Sequence, residues 1–198
     1  MKHEKKDSSS RKLLNFISEA SMLKRVVRSG WPVLGIKNAE SVAEHSFSCC
    51  VIGYVLARME NASLKEVLLM TLLNDIHEAR ITDLHKMAQR YIDAQSAEDK
   101  SFCEQISFLP KIFKDELGSM REEYRLQKTK ESIVARDADI LECLIQAKEY
   151  HEHGFNEAVK FMSKAPSFLR TKSARKLWRL AKTMNLNDWW IRLSDFKR

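Results

Sequence analysis

The chain contains very few residues that interrupt helices, with only five glycines and three prolines among 198 residues. The long stretches without either residue leave room for helices rather than for turn-rich β structure. Apolar residues make up 44% of the chain, which is enough to bury a real core, and the length predicts one domain. We therefore predict an all-α fold, organised as a single-domain helical bundle.

Helix-capping pairs and apolar spacing predict where the helices lie. Ser41 followed by Glu44, and Ser63 followed by Glu66, match the capping box and predict two neighbouring, buried antiparallel helices. Apolar residues at helical spacing predict a first helix over residues 13–27. Further helices are predicted over residues 83–94, from residue 96, and over residues 109–123, 129–151, 174–184 and 188–196.

Charge is distributed unevenly along the predicted domain. Residues 1–10 are polar and charged and are predicted to be disordered, and residues 11–160 are predicted to form the helical domain. Residues 161–198 are predicted to form a basic helical extension packed on that domain. Residues 160–198 contain eleven Lys or Arg and two Asp, a net charge of +9. Such a region can bind nucleic acid, but a solvated helix face is the commoner explanation, so nucleic acid is not the favoured partner.

Cysteine usage and hydropathy indicate the cellular environment. The four cysteines include no C-x-x-C pair and lie in apolar helical stretches, which favours buried thiols in a reducing cytoplasm. No apolar run reaches the roughly 18 residues of a membrane span, and the N-terminus lacks the apolar core of a signal peptide. We predict a soluble, cytoplasmic protein that does not interact with membranes.

An ionisable cluster follows an apolar run within residues 68–84, LLMTLLNDIHEARITDL. Isolated ionisable groups are costly to bury, so acids in such a place normally serve a metal, a partner or a reaction. His45 on one helix, Asp75 after the next and an acid from the helix of residues 129–151 could converge, as in helix-bundle metal sites. Imidazole and carboxylate ligands suit divalent metals, so the side chains alone support a divalent-metal phosphohydrolase.

Three ordered segments, A-E-H-S, N-D-I-H-E-A-R-I-T-D and D-A-D-I-L-E-C-L-I-Q-A-K-E-Y, resemble the HD-domain metal-dependent phosphohydrolases. In that family the metal ligands are a His, an adjacent His-Asp pair and a late Asp. The segment LKRVVRSGWP resembles the 5′-deoxyribonucleotidase branch, and the resemblance extends over residues 23–150. It implies an HD-type bundle with extra C-terminal helices, a divalent ion (Mn, Co, Mg, Fe or Zn), hydrolysis of a nucleoside 5′-monophosphate, and a homodimer.

The resemblance also implies which residues hold the metal. His45 matches the first ligand, Asp75 the Asp of the pair and Asp139 the late Asp. Asp137 is the alternative late ligand, because two acids two residues apart face different sides of a helix. A lone His45 in an apolar helix is more often a hydrogen-bonded core residue, and its ordered partners are what favour the role of ligand.

One position departs from the family pattern, because Asn74 occupies the place of the His in the His-Asp pair. An amide oxygen is a harder and weaker donor than imidazole, so Zn-like or Co-like metals should bind less tightly and Mg or Mn become relatively more acceptable. His77 lies three residues further on and could supply the missing nitrogen.

The same resemblance implies the catalytic and substrate-binding residues. Glu78 matches the family's acid beside the attacking water, and Asp83 matches the next acid along the family's chain. The catalytic residues that the resemblance implies are therefore Glu78, Asp83 and Asp75. Arg28 and Trp31 match the residues that contact the phosphate and the substrate, together with Asp83. The alternatives are that Arg28 only pairs with the acids and that Trp31 is a core residue.

Three functions remain open on the sequence. The first is a metal-dependent nucleotide phosphatase, with hydrolysis of another small phosphate ester as its main variant. The second is a degenerate HD-domain protein that binds a nucleotide without hydrolysing it, which Asn74 favours. The third assigns the main role to the basic C-terminal region as a nucleic-acid surface.

Overall fold

A computed structural model describes residues 2–194, and within them the fold is helical with one isolated bridge between Val27 and Ser41. This confirms the predicted all-α class. The α-helices are α1 (Lys2–Ala20), α2 (Val42–Glu60), α3 (Leu64–Leu73), α4 (Glu78–Ile81), α5 (Ala94–Ser107), α6 (Lys111–Leu126), α7 (Lys130–Glu152), α8 (Val159–Lys164), α9 (Lys172–Ala181) and α10 (Asp188–Ser194). Short 3-10 turns lie at Ser21–Arg25, Pro32–Leu34, Ala88–Arg90, Asn156–Ala158 and Ala165–Phe168.

Helices α2, α3 and α7 pack against one another at the centre of the bundle. Helix α2 begins with the predicted capping box, in which Ser41 and Glu44 each accept a hydrogen bond from the other's backbone N–H. It ends at Asn61, which adopts the left-handed conformation common at helix C-termini. Helix α7 begins after Thr129, whose hydroxyl accepts from the backbone N–H of Ser132. The sequence predicted the capping box of Ser41 and Glu44, and it predicted a helix over residues 129–151 without identifying Thr129 as its cap.

Two hydrophobic clusters hold these helices and their neighbours together. One joins α2, α3 and α7 to the C-terminal region, because Leu169, Ala174 and Trp178 pack with Leu56 and Leu141. The other lies among α3, α5, α6 and α7 and includes Phe102, with side chains of α1 at its edge. The part of the chain described in the structure has no helix long and apolar enough to cross a membrane.

The structure differs from the prediction at several places. Ser63 is the N-cap of α3, but its side chain makes no cap hydrogen bond, so the predicted capping box with Glu66 is absent. The first helix ends at Ala20 and not at residue 27. Helix α1 begins at Lys2, so residues 2–10 extend the first helix where the sequence predicted disorder. No α-helix starts at Asp83, because its carboxylate accepts from the backbone N–H of Ser29, 54 residues earlier in the chain. Helix α5 begins at Ala94, two residues before the predicted start at residue 96, since Asp93 is the N-cap and its carboxylate accepts from the backbone N–H of Ser96.

Candidate functional site

Three side chains from separate elements converge among the central helices. His45 lies on α2, Asp75 in the turn between α3 and α4, and Asp139 on α7. The Nε2 atom of His45 lies 3.5 Å from Oδ2 of Asp75 and 3.3 Å from Oδ1 of Asp139. We call these three residues the His45 cluster. The two acids are about one-sixth exposed, so the cluster is reached from solvent on the acid side while His45 is buried.

The imidazole of His45 is oriented from behind by Glu142. Its Nδ1 atom lies 2.6 Å from a carboxylate oxygen of Glu142, which is itself buried. A carboxylate on the far nitrogen is the usual arrangement for a metal-binding histidine, because it fixes the ring and leaves Nε2 free for the metal. Sequence analysis did not identify Glu142, although its position three residues after Asp139 on α7 places both acids on one helix face.

Burial and neighbouring charges shift the pKa values of the cluster residues in opposite directions. Burial alone would lower the pKa of His45, but the Cys49 sulfur and the Asp139 and Asp75 carboxylates raise it well above its usual range. Burial would raise the pKa of Asp139, but His45 and the Arg136 guanidinium hold it well below its ordinary value. Arg136 lies 2.6 Å from Asp139. The cluster therefore holds carboxylates that remain ionised, which is the form that binds a cation.

Arg28 lies beside the cluster on the solvent side. Its guanidinium is 4.0 Å from Asp75 and 3.4 Å from Asp83, and these two carboxylates raise its pKa although burial acts in the opposite direction. Asp83 also accepts from the backbone N–H of Ser29 at 2.8 Å. Asp83 thus fixes the loop that carries Arg28, and Arg28 is placed to meet an anion that approaches the His45 cluster.

Glu78, the first residue of α4, is buried close to these acids. Its burial, followed by the charges of Asp75 and Asp83, raises the pKa of Glu78 to about 10. Its Oε2 atom is buried without a hydrogen-bond partner. Buried polar atoms are nearly always paired, so this oxygen marks a place where a water, an ion or a substrate atom is expected.

Asn74 and His77 occupy different surroundings. The Asn74 amide nitrogen donates to Asp75 at 2.7 Å, and a half-turn of the amide would present its oxygen instead. The His77 ring is buried, with Nδ1 3.0 Å from the Asn74 carbonyl and Nε2 3.9 Å from Glu98. Arg121 donates to the same carbonyl at 3.1 Å. His77 therefore holds the turn that carries Asp75 and does not replace the missing imidazole in this structure.

The carboxylate of Asp137 contacts the backbone before α9 and not the His45 cluster. It is fully buried, and its carboxylate accepts from the backbone N–H groups of Arg170 and Thr171 at 2.6–3.1 Å. The structure therefore assigns Asp139, not Asp137, to the cluster, in agreement with the first of the two alternatives. Asp137 instead fastens the start of α9 to α7.

Trp31 lies in the core, which corrects its prediction as a substrate-stacking residue. Only 2% of Trp31 is exposed, and its ring packs on Tyr150 and Phe161 at centroid distances of 5.2 and 4.6 Å. Its indole N–H donates to Glu40 at 2.7 Å. A ring buried in this way has no free face for a nucleobase. Trp31 instead holds the loop that leads from Arg28 to α2.

The donor set of the His45 cluster fits a divalent cation. One imidazole nitrogen lies within 3.5 Å of an oxygen of each of two ionised carboxylates, Glu142 supports the imidazole, and the buried carboxyl group of Glu78 has an unpartnered oxygen. The Cys49 sulfur, His45 and Asp139 also place their possible ligand atoms within 4.8 Å of one another. Three protein ligands with an open side are typical of catalytic rather than structural metal sites.

Comparison with known proteins supports this interpretation. A family model described as HD domain matches residues 20–178. The chain belongs to the HD-domain family. This HD-domain protein is similar to 5′-deoxynucleotidase HDDC2 of Homo sapiens, with 27% identity over 143 residues that cover 72% of this chain and 70% of the relative.

Solved structures share the architecture of this HD-domain protein. A protein from Pyrococcus horikoshii OT3 superposes with a TM-score of 0.73 at 28% identity, covering 85% of this chain and 96% of the other. A protein from Magnetospirillum magnetotacticum MS-1, described as a predicted metal-dependent phosphohydrolase, has a TM-score of 0.72 at 20% identity, with 88% and 91% covered. At that identity the second likeness shows the fold alone.

Proposed function

We propose that this HD-domain protein is a divalent-metal-dependent phosphohydrolase that acts on nucleoside 5′-monophosphates. The observation that carries the proposal is the convergence of His45, Asp75 and Asp139 beside the guanidinium of Arg28. Such an arrangement offers a cation site and an anion contact next to each other, as phosphate-ester hydrolysis requires. The relatives named 5′-deoxynucleotidase support the nucleotide as the substrate class.

The proposed metal ligands are His45, Asp75 and Asp139, with the amide oxygen of Asn74 as a further donor after a half-turn of its side chain. When bound, a divalent ion polarises a phosphoryl oxygen and makes a water more acidic. The oxygen-rich donor set favours Mg or Mn over softer metals, compared with a set that contains a second imidazole.

The protein's own groups bind the phosphate and manage the proton. Arg28 neutralises phosphate charge, and Asp83 keeps the guanidinium in place at 3.4 Å. Burial and the charges of Asp75 and Asp83 raise the pKa of Glu78 to about 10, so its carboxyl group is protonated at neutral pH in the metal-free protein. A divalent ion held by the His45 cluster would offset those charges, and the ionised Glu78 carboxylate would then take the proton that the attacking water loses. The water oxygen bonds to phosphorus, the bond from phosphorus to the nucleoside 5′-oxygen breaks, and Glu78 gives its proton to that oxygen, so the products are nucleoside and inorganic phosphate.

A second candidate function rests on Asn74. Its amide nitrogen donates to Asp75 and so competes for one carboxylate oxygen of the cluster. A protein with this weaker site could bind a nucleotide, or another small phosphate ester, without hydrolysing it. The two candidates differ in turnover, not in the location of the site.

The test is phosphate release from deoxyribonucleoside and ribonucleoside monophosphates with Mn, Co, Mg or a chelator, together with elemental analysis of the purified protein. We expect metal-dependent release that Asp139→Asn reduces at least ~10²-fold, because the ligand loses its charge. The exposed Asp115→Asn is the matched control, with no expected effect. Bound nucleotide without phosphate release under any metal would favour the second candidate, and full activity of Asp139→Asn would exclude the proposed site.

A homodimer and a cytoplasmic location are further parts of the proposal. Helix α10 exposes 69% of Trp189 and 46% of Trp190, and exposed aromatic side chains are frequent in subunit interfaces. The four cysteines are free thiols, as expected for a protein of a reducing compartment. Size-exclusion chromatography with light scattering would test the homodimer, and imaging of a tagged protein would test the cytoplasmic location.

A further inference from the structure

Residues 158–187 contain no acidic side chain. Of the net charge of +7, this stretch supplies +8 through eight Lys or Arg, and the rest of the chain supplies −1. Five of these cations lie on α9 or directly after it, and all five are exposed: Lys172, Arg175, Lys176, Arg179 and Lys182. Spacings of three and four residues place them on one face of the helix. We call these five residues the α9 stripe.

The core holds α9 in a fixed orientation. On the side opposite the stripe, Ala174, Leu177 and Ala181 pack in the hydrophobic cluster of α2, α3 and α7. The first turn is also fixed, because Glu60 at the end of α2 accepts from the backbone N–H of Ser173 at 2.9 Å. The α9 stripe is therefore a preformed row of charges, about 15 Å long at 1.5 Å per residue.

The protein does not neutralise the charges of the α9 stripe. Within the part of the chain that the structure describes, no carboxylate pairs with any of its five ammonium or guanidinium groups, whereas the exposed Lys65 lies 2.8 Å from Glu116. The Nε atom of Arg175 donates to the Leu169 carbonyl at 2.8 Å, which orients the side chain but leaves its charge unpaired. A row of like charges repels itself, so an anionic partner would relieve this repulsion.

The α9 stripe fits the phosphate backbone of nucleic acid better than it fits other anionic surfaces. A helix that lies on a membrane inserts its apolar face among the lipids, but the apolar face of α9 is already packed in the core. Protein interfaces are poor in lysine, whereas three of the five stripe residues are Lys. Nucleic acid offers closely spaced phosphates, which Lys and Arg neutralise without an apolar contact.

The α9 stripe is separate from the candidate active site. Glu60, which contacts the start of α9, is the last residue of α2, whereas His45 lies in the first turn of the same helix. The helical rise between these two residues is about 22 Å. An anion bound at the stripe is therefore distinct from a phosphate that meets Arg28.

We propose that the α9 stripe binds the sugar-phosphate backbone of nucleic acid without regard to base sequence. Its five cations contact phosphates and reach no base edge, because the helix is docked on the bundle through its other side. Charge alone favoured a solvated helix face. The fixed orientation and the absence of paired carboxylates among the described residues are what favour a binding surface. The proposal goes beyond phosphate-ester hydrolysis and stands without it.

The salt dependence of binding measures how many phosphates the stripe neutralises. The probe is a fluorescent DNA duplex with 5′-hydroxyl ends, titrated with the full chain by anisotropy in the presence of a chelator. From about 50 to 200 mM NaCl, the logarithm of the binding constant should fall linearly with the logarithm of the salt concentration. The slope should be about −4, because each neutralised phosphate contributes about −0.9. A duplex of the same length and unrelated sequence should bind equally.

Two double variants separate the stripe from the net charge. Lys176→Gln with Arg179→Gln removes two exposed charges from the stripe, so the slope should become less steep by about 2 and the affinity at about 0.1 M salt should fall at least ~10-fold. Lys111→Gln with Lys114→Gln is the matched control, because it removes the same charge from exposed residues in the first turn of α6. The control should retain the slope of the wild type.

The possible outcomes decide the proposal without reference to catalysis. Equal changes of slope in the two double variants, or no binding of the duplex by the wild type at about 50 mM salt, would overturn the α9 stripe as a nucleic-acid surface. Binding to phosphatidylserine vesicles but not to the duplex would overturn it as well and would indicate a membrane partner. A smaller slope in the stripe variant alone supports the proposal even if the protein releases no phosphate, since the probe offers no terminal phosphate and the chelator removes divalent ions.

Discussion

Thr82 adopts a backbone conformation that is ordinarily restricted to glycine, and its replacement should stabilise the protein. Its dihedral angles are φ +63° and ψ 172°, at the C-terminus of α4. A β-branched residue at positive φ is a rare outlier that costs roughly 1–3 kcal/mol. The Thr82 side chain is exposed and its backbone N–H still reaches the Glu78 carbonyl at 2.9 Å, so Thr82→Gly would remove strain and few contacts.

The expected gain follows from two opposing contributions. The substitution relieves roughly 1–3 kcal/mol of backbone strain. Glycine also has more conformational freedom in the unfolded chain, which lowers the free energy of unfolding by about 0.5–1 kcal/mol. The net stabilisation is about 1 kcal/mol, which for a chain of this length raises Tm by roughly 2–4 °C. Urea unfolding should show a higher midpoint with an unchanged slope, since the surface exposed on unfolding is the same.

Thr183→Gly is the matched control. Thr183 is also exposed, but it is not among the residues with positive φ, so the same substitution should lower the free energy of unfolding by about 0.5–1 kcal/mol. Opposite signs for the two variants would support the strain argument. A loss of stability in Thr82→Gly equal to that in Thr183→Gly would refute it.

Three further predictions concern the site and its support. Asn74→His should increase the Co or Zn content found by elemental analysis, because imidazole is the better donor for these metals. An unchanged content would mean that another residue already supplies the missing ligand or that the metal site has collapsed. Burial, followed by the charge of Glu142, raises the pKa of Glu40 from 4.5 to about 7, so the stability that protonated Glu40 contributes is present below pH 4.5 and lost as the pH rises through 7. The free energy of unfolding of Glu40→Gln, measured metal-free in urea, should therefore exceed that of the wild type by about 3 kcal/mol at pH 8 and by little at pH 4.5. Equal gains at both pH values would contradict this. Asp137→Asn should reduce the free energy of unfolding by about 2–4 kcal/mol, because an amide NH₂ cannot accept from the backbone N–H groups that the carboxylate now satisfies; a loss below 1 kcal/mol in urea unfolding would argue against a structural role.

Local signals in the sequence were sufficient for the central elements of the fold. The capping box of Ser41 and Glu44 depends only on residues within one helical turn, and it begins α2 in the structure. The helix predicted over residues 129–151 is also present, as α7. The resemblance to a known family supplied the grouping of His45, Asp75 and Asp139, and the structure brings these side chains together. Their role in metal binding stays a prediction.

Features that depend on distant partners could not be predicted in the same way. The sequence predicts a helix that begins at Asp83, whereas the partner of this carboxylate, the Ser29 backbone N–H, lies 54 residues away and gives no local signal. Trp31 was a candidate for substrate stacking because the burial of its ring depends on Tyr150 and Phe161. A carboxylate or an indole fits several environments, and only tertiary packing selects one of them.

The contact between Asp137 and the start of α9 has a consequence for the order of events during synthesis. The ribosome completes α7 before it reaches Arg170 and Thr171, the residues whose backbone N–H groups satisfy the buried carboxylate. Until then Asp137 must remain hydrated, so α7 cannot settle into its final place among α2 and α3. Because Asp139 lies on the same helix, the His45 cluster is complete only after the C-terminal region has emerged and docked. A nascent chain of this protein should therefore acquire its binding site late, when most of its helices have already been made.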